Sequence, residues 1–146
     1  MAIAFGACLL VSAVVFVYMA SKNYSNIDAD YWLIATLVPI AIMGYWLKTQ
    51  VETVEAAKAL FCFIYVDSTF ILAAALFSMM HALGFQPRKW MKAVVYSIAC
   101  AHVAVVCAGV HSDLYYESMT VIPTVLGSAT KMTSGPLKVC HYIFLA

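Results

Sequence analysis

The sequence predicts an all-α fold: a polytopic transmembrane helix bundle with four full spans and the start of a fifth. Three observations predict it. Of 146 residues, 65% are hydrophobic and 10% charged, with a mean hydropathy of +0.93. A soluble fold cannot cover itself with so little polar surface. Second, apolar runs recur at about the twenty-residue length that crosses a hydrocarbon core of about 30 Å. Third, polar segments separate these runs, and Gly and Pro punctuate two of them, at 84–87 and within 111–138. The length suits one domain, residues 1–146.

The first span is 1–20, an unbroken apolar run. No Lys or Arg precedes it, so it reads as a span and not as a signal peptide. A polar loop leads to the second span, 31–47, where Pro39 marks a kink that neighbouring helices repair. The connection 48–58 carries Lys48, Glu52, Glu55 and Lys58, whose charges cancel. The third span, 59–85, is long enough to tilt. In "GFQPRKWMK", Gly84 and Pro87 break the helix before the fourth span, 91–110. Residues 111–138, with Pro123, Gly127, Gly135 and Pro136, are too polar to cross and read as an ordinary loop. The last run, 139–146, makes about 12 Å of helix, under half a bilayer. It reads as the start of a fifth span, cut short.

Arg88, Lys89 and Lys92 are the one cluster of positive charge. The positive-inside rule puts their turn in the cytoplasm and the N-terminus outside. The expected protein is thus integral and multi-pass. Its partners are the lipid bilayer and other membrane helices or subunits. A net charge of +1 gives no sign of nucleic acid. The five cysteines (Cys8, Cys62, Cys100, Cys107, Cys140) form no CxxC pair and read as small packing residues, not a zinc site or disulfide framework.

One residue resists a purely structural reading. "FIYVDSTFILAAALF" places Asp67 inside the third span. At 100° per residue, Asp67, Ala74, Ser78 and His81 share a face, a small and polar stripe suited to other helices or a water cavity. An unpaired carboxylate there is costly, so it needs a partner or must be neutral. Folding spans three and four about position 88 puts Asp67 level with Ala108. His111 is then within about a turn, and His102 about 9 Å deeper. Asp67, Ser78, His81 and His111 are the candidate ligand-binding or proton-linked residues, with His111 favoured over His102 as the partner of Asp67. The bland alternative is that Asp67 only fixes packing. His81 and His102 differ in depth by about 12 Å, too much to share one haem iron. No nucleophile–base pair, phosphate loop or metal motif is evident, so neither catalysis nor a bound metal is expected.

Two families share spaced features with this chain. Gly44-Tyr45, then Tyr65, then Leu76-Phe77 and the exit "GFQPRKW" resemble the N-terminal seven-helix sensor region of bacterial histidine kinases and diguanylate cyclases. The polar segment after "GVHSDLYYES" and the Gly135-Pro136 of "GPLKVCHYIFLA", with His141 following, extend that resemblance over nearly the whole chain. It implies a helical sensor that feeds a cytoplasmic output domain. A second resemblance is to microbial rhodopsins. "ATLVPIAIMGYWL" is similar to their second helix, and Tyr65-x-Asp67 to the counter-ion motif of their third. Ile64 and Ser68 depart from that motif, and every Lys lies in a loop or at a span end. A retinal Schiff base needs a lysine within an apolar helix, so neither retinal nor haem is expected.

The first expectation is therefore the membrane part of a signalling receptor that senses a small or lipophilic ligand, or a membrane condition. The rival class is a structural or assembly subunit of a larger membrane complex. A rhodopsin-like proton-handling protein is third.

Overall fold

The computed structural model describes residues 2–21, 28–112, 114–124 and 127–145; the side chains of Ala2, Ile3, Cys140, His141, Phe144 and Leu145 lie outside what it describes. Along the chain lie α1 (Ala2–Ser21), α2 (Ala29–Lys48), α3 (Val54–Ala82) and α4 (Lys89–His111). Strands β1 (Tyr116–Thr124) and β2 (Gly127–Ser134) follow, then α5 (Lys138–Leu145). The first four helices are long and apolar enough to cross a membrane. Each contains most of an expected span and differs from it by a few residues at its ends.

Local chemistry sets several of those ends. The Thr53 side chain accepts a hydrogen bond from the Ala56 N–H and caps the start of α3. α3 therefore begins in the polar connection, ahead of the apolar run. Non-helical residues 83–88 separate α3 from α4. Helix α2 runs unbroken through Pro39.

Sequential helices pack side by side: α1 on α2, α2 on α3, α3 on α4. Phe16 meets Trp32 edge to face at 6.0 Å, joining α1 to α2. Gly44 lets α2 approach α3 closely. A Cβ there would lie 3.3 Å from side-chain atoms of Ile64 and Phe63. α3 is the most buried of the four spans and α1 the least.

The all-α expectation is corrected in one place. Residues 111–138 are not an ordinary loop. They contain a two-stranded antiparallel hairpin running from Tyr116 opposite Ser134 to Thr124 opposite Gly127, with an irregularity between Tyr116 and Ser118. Its composition, "YESMTVIPT" and "GSATKMTS", has the β-branched residues and partial alternation of a strand pair. Two strands alone are marginal in water, so docking to the helices decides the outcome. The Ser128 N–H donates to the Thr49 carbonyl at 2.7 Å. Gly127, at φ +133°, passes so close that a Cβ would sit 2.3 Å from the Thr49 oxygen. At the hairpin's base, Tyr115 and Tyr116 join Val106 and Val110 in the main buried cluster, with Cys62, Tyr65 and Leu137 against it. The bundle thus has a hairpin end and an Arg88 end.

Candidate functional site

Asp67 is 3% exposed, and neither carboxylate oxygen has a hydrogen-bond partner among the described residues. Burying such a group without compensation costs energy, which sets it apart from every other acidic residue described. The stripe it shares with Ala74 and Ser78 packs toward α2. On that side the Tyr31 hydroxyl donates to the Ser78 carbonyl at 3.1 Å. Ser78 is itself buried, and its hydroxyl also lacks a partner among the described residues.

The expected pairing with His111 does not form, and the reason is geometric. Because residues 83–88 are not helical, Ala82 and Lys89 are the level pair at the turn. Equal depth to Asp67 then falls at Ala104, not Ala108. His111 lies about seven residues, or about 10 Å, farther along α4, and it is exposed. His102 is at nearly the right depth but faces elsewhere: its Nδ1 lies 3.3 Å from the Thr69 hydroxyl. Asp67 and Thr69 sit about 160° apart around α3.

His81 belongs to a different site. Its Nδ1 is 2.6 Å from Asp28 Oδ2 at the Arg88 end. The Lys92 ammonium lies 3.4 Å from Asp28 and pairs closely with Asp30. The Tyr96 hydroxyl donates to Asp30 at 2.8 Å. Asp28 and Asp30 at the start of α2, His81 at the end of α3, and Lys92 and Tyr96 on α4 thus form one network tying three helices. Asp30 is 4% exposed and spends both oxygens on charge-assisted or hydroxyl bonds. Oxygen and nitrogen donors of Asp28, Asp30 and His81 all lie within 4.8 Å of one another, close enough to hold a metal ion. The Lys92 ammonium already lies against both carboxylates, so a metal would have to displace it. His102 is level with Thr69, about 18 Å of helix from His81.

Sequence reasoning missed this network because Asp28 falls in what reads as a polar loop and Lys92 in what reads as an orientation signal. It also missed the aromatic latch at the hairpin end. The Tyr65 and Tyr116 hydroxyls are 2.7 Å apart. Tyr115 packs on both rings, at 5.4 Å and 5.0 Å between centroids. Burial first, and then the bond to Tyr65, pushes the Tyr116 phenol well above its ordinary range. Between α2 and α3, one turn either side of Asp67, a groove of about 580 Å³ is lined by Ala41, Tyr45, Lys48, Ile64, Ser68 and Ile71, among others. Asp67 does not form its wall. The chain matches no protein-family model, no curated protein and no solved structure.

Proposed function

We propose that this chain is the membrane-embedded part of a signal-transducing protein. It would take up a small or lipophilic ligand, or respond to a membrane condition, in the half of the bundle near the hairpin. It would pass the change on as helix movement toward a cytoplasmic output domain beyond the Arg88 end. The observation that carries this reading is Asp67, buried with both oxygens unpartnered among the described residues. Such a group is the part of the bundle most sensitive to an arriving proton, cation or hydrogen-bond donor. A ligand biases two helix arrangements only through its differential affinity for them, and an unsatisfied carboxylate supplies that difference. The α2–α3 groove has the volume of a small-molecule site. The Asp28–Lys92–Asp30 network supplies a polar lock where movement would emerge.

The reading frame after Ala146 tests the proposal. Further helices followed by a kinase or cyclase domain support it; a stop codon directly after Ala146 overturns it in favour of a subunit. Asp67 has its own test within the intact protein. Asp67→Asn should shift the resting output of the attached domain, and an unchanged output together with unchanged stability would remove Asp67 from the function.

A second reading is favoured by α1, which leaves Leu10, Val11, Val14 and Val17 more than half exposed. In a subunit of a larger complex, another chain would cover that face. Native mass spectrometry of the solubilised assembly separates the two readings. A rhodopsin-like proton-handling role predicts a visible chromophore after retinal addition, and its absence ends that reading.

A further inference from the structure

The α2–α3 groove ends on a lysine with no acidic partner. Lys48 is the last residue of α2 and lines the hairpin end of the groove. Its ammonium lies 4.5 Å from the centre of the Phe61 ring. Among the described residues no carboxylate pairs with it. The hairpin holds this end in place. The Ser128 hydroxyl donates to the Lys48 carbonyl at 3.4 Å, and the Ser128 N–H donates to the Thr49 carbonyl. Tyr45, one turn earlier on the same face of α2, also lines the groove. Away from Lys48 the wall turns apolar, with Ile64, Ile71, Leu72 and Ala75 from α3. The α3 hydroxyls in that wall are already engaged: Tyr65 with Tyr116, Ser68 with the Tyr65 carbonyl, Thr69 with His102. Leu72 is 44% exposed, so the groove opens sideways, toward the bilayer.

We propose that this groove binds a long-chain fatty acid drawn from the bilayer, with its carboxylate on Lys48 and Tyr45 and its chain along α3 toward Ala75. A half-buried ammonium without a counter-ion is costly. A carboxylate supplies that counter-ion and accepts from the Tyr45 hydroxyl as well. One cation matches one negative charge, whereas a doubly charged phosphate head would leave a charge uncompensated. The length also fits. Phe61 to Ala75 covers about 21 Å of α3, and an acyl chain of one leaflet covers about 15 Å, half of the hydrocarbon core. The head therefore sits at the polar end while the whole chain lies against apolar wall. The inference names the ligand class for the groove of the reading proposed above, and rests on that reading only for its signalling consequence.

The probe is palmitic acid with a diazirine near its methyl end, photolysed with the full chain in phosphatidylcholine vesicles. The pH is about 8, where carboxylates are ionised and lysines charged. Mass spectrometry should place the label between Ile71 and Ala75 or beside Ala41. Unlabelled palmitate should compete; hexadecanol, which lacks the charge, and phosphatidylglycerol, which carries two chains, should not. Lys48→Gln should raise the half-labelling concentration about tenfold, the worth of one charge-assisted bond, and Lys48→Arg should restore most of it. Ala41→Trp, which fills the groove and keeps Lys48, should abolish labelling at unchanged helical circular dichroism. Label elsewhere, equal competition by hexadecanol or phosphatidylglycerol, or wild-type labelling of Lys48→Gln or Ala41→Trp overturns the proposal. A labelled groove with a stop codon after Ala146 would uphold it and overturn the signalling reading alone.

Discussion

Asp67 carries the strongest single-residue consequence. A buried carboxylate with no partner weakens the fold, so Asp67→Val, which removes both unpartnered oxygens, should stabilise it. The gain should be about 1–3 kcal/mol, the usual cost of an unsatisfied buried polar group. Equilibrium unfolding in mild detergent measures it, and a loss of stability would mean that Asp67 has a partner in the folded protein. Lys92 behaves oppositely. Replacing it with Met leaves Asp30 buried with only the Tyr96 hydroxyl. The expected cost is about 2–4 kcal/mol, near the range for breaking a buried pair. The same unfolding assay reads it, and Lys92→Arg should recover part of the loss.

Among the elements, the hairpin depends most on its contacts. Gly127→Ala puts a Cβ against the Thr49 oxygen and strains a positive φ. It should release the hairpin tip while leaving α1 to α4 in place, seen as faster proteolysis within 116–134 at unchanged helical circular dichroism. The base of the hairpin responds to pH. The folded Tyr116 phenol resists ionisation more than the ordinary phenol, whose pKa is 10.0. The folded state therefore holds its proton where the unfolded state has lost it. That stabilisation is complete below about pH 10 and is lost as pH rises above it. Proteolysis of the hairpin should accelerate above about pH 10 in the wild type and less so in Tyr116→Phe.

At the scale of the whole molecule, the antiparallel order of α3 and α4 puts the hairpin and the Arg88 turn at opposite ends. With Lys92 held by Asp28 and Asp30, Arg88 and Lys89 are the basic groups left at that end among the described residues. In oriented vesicles and a background without native cysteines, an impermeant maleimide outside should label Ile122→Cys and spare Arg88→Cys. Labelling of both from one side would exclude a four-span arrangement. The reversed pattern would keep the four spans and invert their orientation.

Much of this architecture is legible in the chain alone. Span number and approximate span limits follow from apolar length, because a bilayer imposes one thickness on every crossing segment. Asp67 stands out for the same reason, as a charge where none is easily tolerated. Gly84 and Pro87 mark the turn between α3 and α4 without any tertiary information.

What only the tertiary structure decided is which residues meet. A helix face can be counted from the sequence, but pairing between helices depends on where each helix stops. Centring the turn between Ala82 and Lys89 moves the level of Asp67 along α4 by about a full turn. That displacement separates it from His111. Asp28, Asp30, His81, Lys92 and Tyr96 come from three helices, so no local pattern joins them. The hairpin is stable only because Thr49 and the Val106–Val110 face receive it. Sequence alone determined that this protein has four helices suited to a membrane and one misplaced carboxylate. Packing between helices, a long-range property, decided that the carboxylate is left without a partner among the described residues.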